Sequence, residues 1–361
     1  MVLLLAIGLT PCPVHSGPPL FESNSLMDIS LPVDFSSLCR PREDNECDFS
    51  PTEMCYTEAG GETRTIPVEI KVRGGWRSLT RNCSAPLLWV RFDQEQAVGT
   101  PFEDQGLLPL TTHCGTGLSL ESMSARTNRT DWEQYLLKEY LGHRLYTELT
   151  DMSIRARLMT ITYPNPEQKG RAIRNYAFFT EHFDSVAERN HAERLPRPGF
   201  DHESLDVRSA DILALFQFMI GNTDWSVTRE RNIVLMRTES ESQSPVPYDL
   251  DMSGLVNAPY AGPAPGLPID GVTDRYYLGF CHPDIDWDEL FEYFTSRRDS
   301  LLALVDEVPG LGRNSARQTR SYLEKFFEIL GDENERNEQI VESCQPWPPS
   351  SIDHTTPPEK R

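Results

Sequence analysis

Residues 216–254 constrain this chain more than any other stretch. An apolar run with helical spacing (Ile212, Leu213, Leu215, Phe216, Met219 and Ile220) stops at Gly221 and delivers Asn222, Thr223 and Asp224. Asn232 then opens a strand-like run at 233–236, and after a short polar insert Asp249 and Asp251 stand two positions apart. On a strand, alternation places Asp249 and Asp251 on one face while Tyr248 and Leu250 point to the other. Such a chain must build a helix, a turn and two strands that together present an amide and three carboxylates. These are hard oxygen donors of the kind that hold Mg²⁺ or Mn²⁺. The plainer account is turn chemistry after a helix plus a solvated acidic pair, and Asp-x-Asp taken alone supports nothing more. The order of the residues and their strand context favour a site.

The rest of the chain bounds what that site serves. With 361 residues, 38% of them hydrophobic and 25% charged, there is material for a sizeable core in one two-lobed domain or two domains. A net charge of −21 argues against nucleic acid as a partner. Residues 2–9 are apolar and lead into Thr10-Pro11-Cys12-Pro13, which reads as a short secretory signal over 1–17. No apolar run approaches the roughly 20 residues of a transmembrane helix. The expectation is an exported protein, secreted or periplasmic. None of the eight cysteines forms a C-x-x-C pair, so a zinc or redox site is not expected. In an exported protein some would pair as disulfides and an odd one would stay free. Cys39, Cys47 and Cys55 lie in a Pro- and acid-rich stretch that such a staple would hold.

Strands come first. The strict alternation of Ile66, Val68, Ile70 and Val72 marks a strand at 66–72, with others at 25–31, 87–92, 155–163 and 175–180. Thr130 and Glu133 make a capping box for a helix running to Leu149, whose buried stripe includes Leu136, Leu137, Tyr140, Leu141 and Leu145. Further helices are expected at 209–220, 286–305 and 315–330, with a Pro/Gly-rich loop at 257–269. From Gln345 the Pro-, Ser- and Thr-rich tail reads as disordered.

The segments Gly221–Ser226 (GNTDWS), Asn232 and 246–261 (VPYDLDMSGLVNAPYA) resemble exported bacterial proteins related to the CotH-type (spore coat) atypical kinases. They are more distantly similar to HipA-like kinases. The segments 66–77, 82–92, 108–114, 133–163 and 177–190 extend the resemblance over most of the chain. It implies an α+β, bilobal, atypical protein-kinase-like fold. The β-rich N-terminal lobe with one long helix would span 18–180, the helix-rich C-terminal lobe 181–344, and the tail 345–361. It implies ATP at the junction with Mg²⁺ or Mn²⁺, and phosphoryl transfer to a protein or small-molecule hydroxyl. Residue by residue, Asp224 is the catalytic carboxylate, Asn232 and Asp249 are metal ligands, and Glu139 is the helix glutamate on the nucleotide side. Asp251 is the alternative metal carboxylate; Lys71, with Arg73 and Arg91, is a nearby basic substitute for a phosphate-contacting residue on the nucleotide side.

Two departures stand out. Trp89 and Pro109 occupy positions where the relatives carry basic residues, and Asp224 and Asn232 are eight positions apart, wider than in the kinase catalytic loop. The rival expectation is therefore a catalytically inactive binding or scaffold protein of the cell envelope. A third is an acidic cluster that holds Ca²⁺ for stability alone. His113, His182, His191 and His282 show no ligand spacing and read as structural.

Overall fold

A computed structural model describes residues 19–41, 46–57, 61, 63–115, 131–164 and 172–349. The expected signal segment, the Thr130 cap and residues 350–361 of the tail lie outside them. Seven strands form the first unit: β1 (Met27–Ser30), β2 (Ser50–Thr57), β3 (Thr63–Val72), β4 (Leu88–Phe92), β5 (Leu107–Thr111), β6 (Ala156–Tyr163) and β7 (Ile173–Thr180). They close into a barrel in the order β1-β2-β3-β4-β5-β7-β6. Alternation supplies its filling, because Ile66, Val68, Ile70 and Val72 point inward to meet Leu88, Val90, Phe92 and Phe179.

This closed barrel overturns the expected bilobal kinase-like fold. β1 pairs antiparallel with β2 on one side and parallel with β6 on the other, so the two ends of the sheet are joined. Local periodicity carries no trace of that long-range parallel pairing. β2 itself was not expected, since Pro51 and its acidic neighbours disguise a strand whose inward residues are only Met54 and Tyr56. The second half is not simply helical either. It holds its own three-stranded sheet, ordered β10-β9-β8, from β8 (Ala192–Arg194), β9 (Ile233–Thr238) and β10 (Gln243–Pro247).

The helices, in chain order, are α1 (Gln94–Ala97), α2 (Asp131–Leu149), α3 (Phe183–Arg189), α4 (Val207–Ile220), α5 (Trp287–Thr295), α6 (Arg298–Glu307), α7 (Arg313–Gly331) and α8 (Glu333–Arg336). The single helix expected at 286–305 is two, because the chain breaks at Ser296 and Arg297 between α5 and α6. Its predicted cap is present, with the Asp286 carboxylate accepting from the Glu289 N–H at 2.9 Å. The stripe of α2 (Leu137, Leu141, Leu145) packs with Leu213, Phe216 and Ile220 of α4 in a second core.

Strands β6 and β7 serve both cores by alternation. Met159, Ile161 and Phe179 face the barrel interior, while Leu158 and Phe178 face the helices. The barrel and the helical half are therefore fastened through one shared pair of strands and α2. At about 1.5–3 kcal/mol for each large apolar side chain buried, that shared layer fixes where α2 stands relative to the loops beneath it.

Disulfides link Cys39 to Cys47, Cys83 to Cys114 and Cys281 to Cys344, with Cα atoms 5.6, 4.7 and 5.3 Å apart, and Cys55 is free. The third one corrects the reading of the tail. Gln345 pairs with Phe280, and Trp347 packs against Phe280 and His282, so 345–349 form an ordered strap. Among the described residues no helix is long and apolar enough to cross a membrane.

Candidate functional site

The turn after α4 is built by its own side chains. Gly221 ends the helix at φ 62°, where a Cβ would run into the Tyr322 hydroxyl. The Asn222 side-chain oxygen accepts from the Asp224 N–H at 2.9 Å, and the Trp225 indole N–H donates to the Asn222 carbonyl at 3.1 Å. Asp224 is thereby held facing Asn232, whose Nδ2 donates to the Asp224 carbonyl at 2.7 Å and to its carboxylate at 3.0 Å. Burial raises the Asp224 pKa, against the opposing pull of Arg231, which forms an ion pair with it.

Asp249 and Asp251 are not on a strand, contrary to expectation. β10 ends at Pro247, and the two carboxylates follow in an irregular turn. Leu250 between them is buried and packs over Gly142 of α2, where an added Cβ would lie 3.0 Å from its Cδ1. Gly142 thus lets the acidic segment approach the helix that carries Glu139.

Arg77, on the short turn Trp76–Ser78 after Gly74 and Gly75, is the centre that gathers these groups. Its Nη1 stands 3.1 Å from Glu139 Oε2, its Nη2 2.9 Å from Asp249 Oδ1, and its Nε 3.4 Å from Asp251 Oδ2. Burial works against the Arg77 charge, yet Asp251, Glu139 and Asp249 hold its pKa well above the usual arginine value. Burial also raises the carboxyls of Glu139 and Asp251, with Asp249 adding repulsion to each. Three carboxylates against the guanidinium of Arg77 and, farther off, that of Arg73 leave a net negative charge. That charge suits a further cation or a shared proton. The Tyr260 hydroxyl donates to Asp251 at 2.9 Å, and its ring lies between Trp76 and Trp132 at 4.8 and 5.8 Å.

A narrow cavity of about 30 Å³ opens beside this cluster, lined by Arg73, Arg77, Glu139 and Asp249 together with Trp89 and Tyr248. Arg73 forms no ion pair among the described residues; its guanidinium lies over the Trp89 ring at 5.1 Å. Burial pulls its pKa down, and so does the neighbouring charge of Arg77, while Asp249 and Glu139 oppose them. A concavity of about 690 Å³ between α5 and α7 holds none of these groups.

The fold brings Glu139, Asp249 and Asp251 together on Arg77, and Asp224 together with Asn232. It does not bring Lys71, whose Nζ lies over the Phe49 ring at 5.6 Å and which is not among the residues lining the cavity. Lys71 and Trp89 are cross-strand partners, but neither supplies the cation. Sequence reasoning missed Arg77 and underrated Arg73. The available signal was the Gly74-Gly75 break, which turns the chain off β3 and aims the next basic residue inward. No family model matches the sequence, and no curated protein is significantly similar to it.

Proposed function

We propose that the chain transfers the γ-phosphoryl group of ATP to a hydroxyl acceptor. The observation that carries this reading is Arg77, bridging Glu139 and Asp249 next to an Arg73 that forms no ion pair among the described residues, with Asp224, bonded to Asn232, near enough to Asp249 to feel its charge. The resemblance to CotH-type kinases supports the same chemistry. It is claimed here for the site and not for the fold.

Arg73 and Arg77 would grip the phosphates, supplying the basic groups that Trp89 and Pro109 do not. Asp224 would orient the acceptor and take its proton as the acceptor oxygen bonds to the γ-phosphorus and the bond to the ADP oxygen breaks. Among the described residues no three His, Cys, Asp or Glu side chains are grouped to hold a metal by themselves. The Asn232 side-chain oxygen and the Asp249 carboxylate nevertheless fit Mg²⁺ or Mn²⁺, which keeps several waters and leans on substrate phosphates. When bound there, the ion supplies charge neutralisation for the phosphates. The three disulfides support export of the chain, where such linkages persist.

The cavity size favours a second reading. At about 30 Å³ it is far below the roughly 300 Å³ of a small ligand pocket, so Trp89 and Tyr248 must part before a nucleotide enters. A chain in which they never part would be a non-catalytic binding or scaffold module. The test is transfer of radiolabel from ATP, or release of phosphate to water, by wild type and by Asp224→Asn. Loss of the general base is expected to slow turnover by about 10²–10⁴-fold. An unchanged rate would remove Asp224 from its role, and absence of any turnover would leave the scaffold reading in possession.

A further inference from the structure

Three arginines lie next to the candidate site, two of them on rings that line the cavity and one on Asp224. Arg231 pairs with Asp224, and Arg197 lies over the Tyr248 ring at 5.7 Å and reaches its hydroxyl at 3.3 Å. Tyr248 packs on Phe183 at 5.3 Å, and the Arg194 guanidinium covers Phe183 at 5.2 Å. Both rings line the cavity, and the Tyr248 N–H donates to the Asn232 carbonyl at 3.1 Å, so the strip begins beside Asp224. Arg231, Arg197 and Arg194 are 50%, 50% and 44% exposed, each with one acidic neighbour (Asp224, Glu230 and Asp184). Each guanidinium therefore keeps part of its five-donor fork turned to solvent.

The loop that presents Arg231 is held firmly. Ser226 and Arg231 pair backbone to backbone in both directions, at 3.0 and 2.9 Å. The carboxylate of Glu230 is buried and accepts from the Phe200 N–H at 3.1 Å. Glu230 and Asn232, on either side of Arg231, both adopt left-handed backbone at φ 49° and 52°. Such positions cost on the order of 1–3 kcal/mol each in a non-glycine residue. A half-exposed ion pair contributes about 0–1 kcal/mol, so stability does not account for this construction. The wide spacing between Asp224 and Asn232 is what makes room for it.

We infer that the strip reads the acceptor, and that the acceptor is an acidic peptide: a serine or threonine flanked by Asp or Glu. The hydroxyl meets Asp224 while the flanking carboxylates engage Arg231, Arg197 and Arg194, whose forks match carboxylates in pairs of hydrogen bonds. A chain of net charge −21 repels a uniform polyanion such as nucleic acid, while a short local strip accommodates a few carboxylates. This inference rests on the phosphoryl-transfer reading and adds the acceptor to it.

The test offers the full chain, with ATP and Mg²⁺, three peptides of equal length whose hydroxyl is flanked by Asp/Glu, by Asn/Gln or by Lys. Hydrolysis of ATP without peptide is followed in parallel. The expected kcat/KM is at least about tenfold higher for the acidic peptide than for the neutral one. In the charge-reversal variant Arg197→Glu with Arg231→Glu, the order inverts and the Lys peptide leads. Arg194→Glu, at the exposed end of the strip, carries the same expectation in weaker form and serves if the double variant does not fold. Equal kcat/KM on acidic and neutral peptides, or an acidic preference that survives charge reversal, overturns the inference while hydrolysis keeps the phosphoryl-transfer reading standing. Neither hydrolysis nor transfer by the wild type overturns both.

Discussion

Replacing Arg77 by methionine is expected to destabilise the chain by about 3–5 kcal/mol, the scale set by removing one partner from a buried ionic cluster. Methionine nearly fills the space, so lost packing contributes little. What remains is Glu139 and Asp251, both buried, with Asp249 beside them and only the more distant charge of Arg73 to offset the three. Urea unfolding of wild type and variant measures the difference. If uncompensated charge is the cause, adding Glu139→Gln and Asp251→Asn to Arg77→Met restores a large part of the loss. A loss below about 1 kcal/mol would place Arg77 among ordinary surface pairs and remove it as the centre of the cluster.

Removing the Cys281–Cys344 disulfide by serine at both positions is expected to cost about 4 kcal/mol, because it closes a long loop. The cysteines are 63 positions apart, against 8 for Cys39–Cys47, whose removal should cost nearer 2.5 kcal/mol by the same loop-closure argument. The strap it fastens covers a buried pair. His282 Nε2 stands 2.9 Å from both oxygens of Asp211 on α4, and Trp347 packs on the His282 ring. Burial raises the Asp211 pKa to about 6, although the hydrogen bond from His282 opposes it. Since α4 ends at the turn that carries Asp224, loosening the strap disturbs the helix that sets the site. Unfolding of the two double-serine variants gives the comparison, and equal losses would contradict the loop-length argument.

Much of the fold was legible because it rests on local patterns. Period-two burial at Ile66–Val72 and the stripe Leu137–Leu141–Leu145 decide strand and helix before any tertiary contact forms. Barrel closure was not legible, because pairing Met27 with Met159 depends on contacts far apart in sequence. Nor was β2, where Pro51 argues against a strand that tertiary pairing nevertheless imposes. In the site, the sequence named Asp224, Asn232, Asp249 and Asp251, which the fold gathers as an Asp224–Asn232 pair and an Asp249–Asp251 pair on Arg77. The strand geometry assigned to the last two was wrong, since they reach Arg77 from a turn held down by Leu250. The cation was missed because Lys71 sits on the alternating strand and draws attention, while Arg77 gains its position only from the chain reversal at Gly75, φ 91°.

The central claim is that Arg73, Arg77 and Asp249 form a nucleotide-phosphate site beside Asp224. Titration calorimetry of ATP with Mg²⁺ into the full chain tests it most directly, with Arg73→Gln as the companion variant because Arg73 makes no ion pair among the described residues. The expected result is saturable binding to the wild type that weakens by about tenfold or more in Arg73→Gln, roughly the 1.4 kcal/mol of one charge-assisted phosphate contact. No saturable binding by the wild type, or binding undiminished in Arg73→Gln, would contradict the account.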